Sequence, residues 1–530
     1  MKKQILGILA LILLSYSVYA QEGGSQTTQG SVGAVTIDGK LWNQIALRPV
    51  IPFGKFGVAL DLVVYIDGEG NIHKDEWDFS SLGATKNTII DKIYYIRYGL
   101  PGDPLYFRVG ALDYVSLGYG ILVSGYSNTI QYPQVRKVGL YLRLKKWNHS
   151  FEGFINDFKE NIGLFGMSVS RPLPGGFKGG ITVVTDRNQY LGLKDRDDDG
   201  VPDVLDDFPR NAGIWADTDG DGIEDSVDPD ADGDNIIDGG QDRDGDGIID
   251  GTETVDLEGD GNLGIPYDDE IVLKKDSRLK NGDPIAGVAF DVSYPLLNQK
   301  KLRVDIYVQA AQLIGKTVNP ETDEKIATGM GLVPLGVASK FGPMRLSLEY
   351  RIIPREGRFD FGYWDRSYDM ERAIFREDVD GNIQVKTKES LLGRYGKQKG
   401  FYGTFGVDLG SLLVLKTEYQ NLRGKIWNDE IDKFEDQQNR SFKTSLALRK
   451  KVFRIKYATF FYQQRNVQNP FEFEFTESTV MGYGVGYEIS AGITLNYIFR
   501  RTFRDLNGDG DVKDDGETIN ITTVETTFNL

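Results

Sequence analysis

Leu302-Arg303-Val304-Asp305-Ile306-Tyr307-Val308-Gln309-Ala310 sets an apolar residue against a polar one at every step. Successive side chains of an extended strand point to opposite faces, so this stretch reads as a strand with one oily side and one polar side. The pattern recurs along the chain. Met344, Leu346, Leu348, Tyr350 and Ile352 interleave with Arg345, Ser347, Glu349 and Arg351. Val138, Leu140, Leu142 and Leu144 interleave with Lys137, Gly139, Tyr141 and Arg143, and similar runs surround Phe290, Phe405, Tyr419, Phe453, Val485 and Leu495. In Gly482-Tyr483-Gly484-Val485-Gly486 the glycines take the inward positions, where a small residue lets the strand bend or a neighbour approach. With 63 Gly and 55 Tyr plus Phe against 6 Met, the composition also leans towards sheet.

The links between these runs alternate in length. Short ones fall at 51–55, 101–104, 145–148, 173–176, 297–301, 341–343, 410–411, 449–452 and 490–492. Long polar ones fall at 67–91, 113–136, 187–285, 313–328, 354–399, 422–440, 464–478 and 504–517. Short turns on one side, long loops on the other and strands of about ten residues are the pattern of a transmembrane β-barrel. The nine short turns imply about eighteen paired strands, followed by a last one at 518–530. A soluble sandwich or barrel would alternate as well. Two features favour the membrane: charged residues at the centres of the polar faces, and aromatics near strand ends (Tyr350, Tyr419, Tyr457, Tyr487, Phe499) where an interfacial girdle belongs.

The two ends of the chain agree. Residues 1–20 carry Lys2 and Lys3, then the apolar run 5–14, then Val18-Tyr19-Ala20, which is the layout of a cleavable secretory signal. That run is too short to span about 30 Å of hydrocarbon as a helix. Residues 21–30 read as a polar lead-in. At the other end Val524, Thr526, Phe528 and Leu530 share one face. This resembles the terminal strand of bacterial outer-membrane barrel proteins, although Leu530 stands where an aromatic is usual. The resemblance implies a porin-like barrel in the outer membrane of a Gram-negative-type bacterium.

A second object interrupts the barrel pattern. Residues 195–270 hold 24 Asp and 4 Glu against 3 Arg and no Lys, a charge of −25. The rest of the chain, with 58 basic and 50 acidic residues, is +8. Within this segment one phrase repeats. Asp195, Asp197, Asp199, Asp203 and Asp206 make the first copy; Asp217, Asp219, Asp221, Asp225 and Asp228 the second. Asp230, Asp232, Asp234 and Asp238 make a third, in which asparagine replaces the glycine. Asp242, Asp244, Asp246, Asp250 and Glu253 make the fourth, and Asp256, Glu258 and Asp260 a partial fifth. Calcium takes six to eight oxygens, so carboxylates at alternate positions must curl round one ion, and the glycine after the third permits the turn. A disordered acidic linker would share the composition but has no need of the phasing. The phrase resembles thrombospondin type 3 calcium-binding repeats, though without the cysteines that often lie between the aspartates in that family. The resemblance implies several bound Ca2+ ions, which would then hold the segment together in place of disulfides.

Asp505, Asn507, Asp509 and Asp511 open a shorter acidic loop that begins like an EF-hand, but Glu517 falls one place late and the flanking runs are strands. It is either a calcium-stiffened hairpin loop or an ordinary acidic turn.

Much chemistry is excluded. With no cysteine there is no disulfide, thiolate site or lipoprotein anchor, and His73 and His149 lie in unrelated contexts. No phosphate loop or nucleophile elbow is present, and the basic residues form no stripe for nucleic acid. The reading is not an enzyme. It is an all-β chain: a large antiparallel transmembrane barrel of about 16–20 strands, with first part 31–186, a calcium-binding insertion 187–285 in one extracellular loop, and second part 286–530. Its expected function is porin-like diffusion or uptake. The alternative is a surface adhesion or scaffolding protein on a plugged barrel, with the calcium module as the working part. Expected partners are outer-membrane lipid, calcium, and either small polar solutes or a surface protein or glycan. Arg303, Asp305, Arg345, Glu349, Arg351, Lys416, Glu418, Arg454 and Lys456 are placed on the lumen wall, where their mixed signs argue against strong ion selectivity. Loop 354–399, with Phe359, Phe361, Tyr363 and Trp364, either folds into the lumen as a constriction or lies exposed.

Overall fold

A computed structural model describes residues 28–197, 199–228, 230–231, 237–238, 267–268, 282–377, 383–410, 412–429 and 431–530. The signal-like segment, residues 21–27 of the lead-in and most of the third to fifth acidic repeats lie outside the described residues.

Among the described residues, 22 strands form one antiparallel sheet, and two pairs of them are collinear: Lys40–Arg48 with Val50–Phe53, and Phe56–Leu60 with Leu62–Ile66. Counting each pair once gives twenty staves. The sheet closes on itself, because Gln29–Ile37 pairs antiparallel with Thr518–Asn529, Gln29 opposite Asn529 and Val35 opposite Thr523. Closure leaves no edge strand unpaired.

The alternation seen in the sequence is the inside–outside alternation of this barrel. On Leu302–Ile314, Val308 is 45% exposed on the outer surface while Tyr307 and Gln309 are buried within. On Met344–Ile353, Leu346 and Leu348 face out and Glu349 and Arg351 are buried inside. The apolar side is therefore the exposed side, the reverse of a water-soluble barrel. Tyr483 and Tyr487 face outward and Gly482 and Gly486 inward, where the Phe461 and Tyr457 rings lie over them.

Thr28, where the described residues begin, and Leu530 lie at the short-turn end, where the Leu530 amide donates to the Thr28 carbonyl. Three links depart from the sequence reading. The first hairpin turns at Asp38-Gly39 on the long-loop end, so a strand begins at Gln29, inside the expected lead-in. Residues 156–163 form a loop that the sequence pattern did not separate. The stretch 422–440 is not a long loop: Leu413–Asn428 and Lys433–Leu448 run through it and leave only a four-residue turn.

The lumen is not empty. Val115–Ser116, Val123–Tyr126 and Trp364–Asp365 form a small three-stranded sheet inside it, followed by the short helix Tyr368–Glu371. Leu117, Leu122, Val123, Tyr126, Phe359, Phe361, Tyr363, Trp364 and Tyr368 are all nearly or fully buried, and they pack against wall residues such as Phe154, Leu164, Val184, Ile285, Ala289 and Tyr307. Of the two placements open to loop 354–399, the structure adopts the lumen. Burying one large aromatic contributes about 1.5–3 kcal/mol, and the lumen is where this loop finds that burial.

Candidate functional site

The plug is fixed to one arc of the wall by paired charges. Asp360, Asp365 and Asp369 of the 354–394 loop each meet a base. Asp360 takes a hydrogen bond from Arg465 (2.6 Å), and Asp365 takes them from Lys443 (2.7 Å) and Gln463 (3.0 Å). One cation of the loop, Arg372, is fully buried. It donates to Asp186 at the end of Lys178–Asp186 (2.5 and 2.8 Å) and to Glu160 (2.7 Å). Lys137, from the first plug loop, bridges Glu160 and Asp369, and the Tyr126 hydroxyl donates to Asp369. Burial opposes the charge on Glu160, but the Arg372 guanidinium and Lys137 ammonium outweigh it and hold the carboxyl at about 2.

The opposite arc stays open. A chamber of about 680 Å³ lies between the plug and the wall strands that include Lys40–Arg48, Leu105–Gly110, Ile455–Val467, Ile493–Phe503 and Thr518–Asn529. Above it, towards the long loops, lies a vestibule of about 520 Å³. Tyr132, Pro133, Arg136 and Lys137 line both. At this septum Asp61 accepts from Arg48 (2.9 Å), Arg136 (2.8 Å) and the Tyr132 hydroxyl (3.1 Å), while Glu525 accepts from Gln44 (2.8 Å) and Arg48 (3.2 Å). One network ties the first plug loop to the wall and to the closing strand.

The charges assigned to the lumen from sequence do not all end in one place. Arg351 pairs with Glu349 (2.7 Å), Lys416 with Glu418 (2.6 Å) and Arg303 with Asp305 (2.7 Å), so these cancel locally. Lys456 lines the chamber. Arg345 sits near a short turn with its side chain 63% exposed. Arg454 is not a lumen residue: it lies in the 449–454 turn, exposed, against the Tyr487 hydroxyl. Tyr457, expected in the outer girdle, instead lines the chamber. The pairing with Val480–Ser490 shifts register between Ile455 and Tyr457, and a bulge there resets which side chains face in. Sequence reasoning did not single out Arg48, Arg108, Arg136 or Arg500. Arg108 and Arg500 lie on strands, and only the phase of their alternation marks them as inward.

At the rim of the vestibule begins the acidic insertion. Gln189 donates its amide to the Gly282 carbonyl (2.7 Å), so the two ends of the insertion meet. In the first repeat Asp195 accepts from the Gly200 amide and Asp199 from the Val201 amide; in the second, Asp217 accepts from Gly222 and Asp221 from Ile223. Gly200 and Gly222 both adopt φ +94°, the conformation for which glycine suits this position. One carboxylate oxygen from each of Asp195, Asp197 and Asp199 lies within 4.8 Å of the others, and the same holds for Asp217, Asp219 and Asp221. Asp206 and Asp228 occupy equivalent places and are both buried. Asp203 and Asp225 instead close their loops, accepting from the amides of Arg196 and Thr218. The side chains of Asp232, Asp234, Asp238, Asp242, Asp244, Asp246, Asp250, Glu253, Asp256, Glu258 and Asp260 lie outside the described residues.

In the 504–517 loop Asp505 accepts from the Gly508 and Gly510 amides and pairs with Arg376 (3.3 Å), and Glu517 accepts from Leu506 and Asp514. Asp509 and Asp511 are exposed.

No protein-family model matches the chain, and no curated protein matches it. Among solved structures it is similar to OccK10 (OpdN) of Pseudomonas aeruginosa, at 8% identity over 96% of this chain and 99% of that one, with a TM-score of 0.33. It is also similar to the outer membrane protein OprD of Pseudomonas aeruginosa, at 8% identity over 96% and 93%, with a TM-score of 0.32. A third likeness is to CdiB of Acinetobacter baumannii, at 5% identity and a TM-score of 0.24; the chain spans 61% of that protein's length.

Proposed function

We propose that the protein is an outer-membrane β-barrel channel, not an enzyme, which admits small polar solutes along the open side of its lumen. The observation that carries this reading is the inverted barrel: an apolar outer face around a charged interior that keeps an open chamber beside its plug. An oily exterior suits lipid, and a polar lumen suits water. A stave of ten residues tilted by about 40° spans about 25 Å, the height of an outer-membrane apolar band. The signal-like residues 1–20 support export. Reconstituted into planar bilayers, the full chain should give discrete single-channel steps. A sealed, non-conducting barrel would refute the channel reading and leave the anchored adhesion or scaffolding protein, the reading that the plug favours.

We further propose that the acidic insertion faces outward and binds several calcium ions. The repeated Asp-x-Asp-x-Asp-Gly geometry of the first two copies supports it, as does the self-repulsion of −25 charges without cations. Protease added to intact cells should then cut within 195–270 only after calcium is chelated, and Asp219→Asn with Asp221→Asn should lower the number of ions bound. Identical cleavage with and without chelator would overturn the calcium reading.

A further inference from the structure

The chamber is lined by six bases and three acids: Arg48, Arg108, Arg136, Lys137, Lys456 and Arg500 against Asp61, Asp113 and Glu525. Ion pairs remove half of the bases. Arg48 and Arg136 are bound to Asp61 and Glu525, and Lys137 to Glu160 and Asp369. Among the described residues, Arg108, Arg500 and Lys456 have no carboxylate within ion-pair distance. Arg108 lies over the Tyr95 ring (5.6 Å), and its Nε is buried with no hydrogen-bond partner. Arg500 donates to the Tyr132 backbone carbonyl (2.5 Å), a neutral acceptor. Against these three stands Asp113 alone. The open side of the lumen thus carries surplus positive charge.

A guanidinium without a carboxylate presents a planar fork of donors matched to an oxyanion. Rings of Arg or Lys make anion pores, and a cleft of one sign raises the local concentration of the opposite ion about 10- to 1000-fold. A volume of about 680 Å³ lies in the usual range for a site that takes a small organic molecule. We propose that the chamber selects small organic solutes bearing a carboxylate or phosphate, with Arg108 and Arg500 as the residues that set the preference. This rests on the channel reading above and adds to it a substrate class.

The test compares sugars of like size and different charge in proteoliposomes holding the full chain: glucose, gluconate, glucose 6-phosphate and glucosamine. At low salt gluconate should enter about tenfold faster than glucosamine. In Arg108→Gln with Arg500→Gln the two rates should converge to within about twofold. The wild-type preference should fade near 1 M salt, where the Debye length is about 3 Å. Entry of both anions supports the oxyanion class as a whole; entry of gluconate alone narrows it to carboxylates. If glucose enters but gluconate shows no advantage over glucosamine, the anion inference is overturned while the channel stands. If nothing enters, the channel reading itself falls. The wild-type reversal potential in a KCl gradient gives a readout that needs no variant: preference for chloride is expected, and preference for potassium would overturn the inference.

Discussion

Arg372→Met should release the plug. The side chain is fully buried and makes three charge-assisted hydrogen bonds: two to Asp186 on the wall and one to Glu160. Methionine keeps much of the stem and removes the charge. Asp186, itself fully buried, would keep only neutral donors, the Tyr368 hydroxyl of the plug helix (2.7 Å) and the Asn188 amide (3.0 Å). Taking one partner from a buried ion pair costs about 3–5 kcal/mol, because the remaining charge is left uncompensated. At 1.4 kcal/mol per tenfold, the ratio of docked to undocked plug should fall by about a hundred- to a few-thousand-fold. The wall ladders do not depend on this residue, so the barrel should stay closed while the 354–394 loop opens to protease and the channel conducts more, with more noise. The pH dependence has a definite sign. In the wild type Glu160 is held at about 2, below its unfolded value, so its contribution is present above about pH 4.5 and lost only as pH falls towards 2. In the variant Glu160 loses its largest attraction while Lys137 remains, so its carboxyl should rise above that value and this acid loss should begin at a higher pH. Bilayer recording and timed proteolysis read both effects. A folded barrel with unchanged conductance and protection would show that apolar packing alone holds the plug.

Three further outcomes are expected. Gly33→Val would set a Cβ 2.1 Å from the Val524 carbonyl oxygen and 2.6 Å from the Glu525 Cα, so the closing seam must part at a cost of about 1–3 kcal/mol; the folded gel band should convert to the unfolded one at lower temperature. Glu389 is pushed up to about 8 by burial, with Asp283 adding repulsion, so its docking is fully favoured below about pH 4.5 and weakens as pH rises from there to about 8; protease cutting in 383–394 should rise between pH 5 and 8 and level off above, and Glu389→Gln should remove the rise. Replacing residues 193–281 by a short Gly-Ser linker should leave the barrel folded and conducting while calcium binding falls; loss of the folded gel band would show that the barrel needs the insertion.

The barrel was legible because period-two alternation has a direct physical cause: one face of each stave is apolar and turned outward, and the other meets the interior or the plug. Where that cause lapses, the reading failed. The ends of Leu413–Asn428 and Lys433–Leu448 carry polar residues on both faces, from Lys425 and Asn428 to Glu435 and Gln438, so they read as loop. The Asp38-Gly39 turn was missed because it is a tight hairpin on the end where long loops are the rule. Arg454 and Tyr457 were misplaced because the register shift beside them resets the phase. The plug was half legible. An aromatic run in a long loop marks a segment that can bury itself, but Tyr126 meeting Asp369, or Arg372 meeting Asp186, joins residues far apart in sequence through the barrel interior.

The described contacts between the insertion and the barrel are weak ones. The repeats' described arginines reach the rim as exposed pairs: Arg196 with Asp38 and Asp75 (3.7 and 3.6 Å), Arg210 with Asp75 (3.3 Å), joined by Lys194 from the preceding turn (3.3 Å to Asp38). Such exposed pairs contribute about 0–1 kcal/mol each and weaken with salt. The barrel, by contrast, closes the loop without help from the insertion. Lys178–Asp186 pairs with Ile285–Asn298 from Asp186 opposite Ile285 onward, and Gln189 binds back to Gly282 and Asp283. The entropy of bringing the two ends together is therefore met by the β ladder, whatever the length of chain between them. On those terms the described contacts of the insertion add little to the barrel's stability.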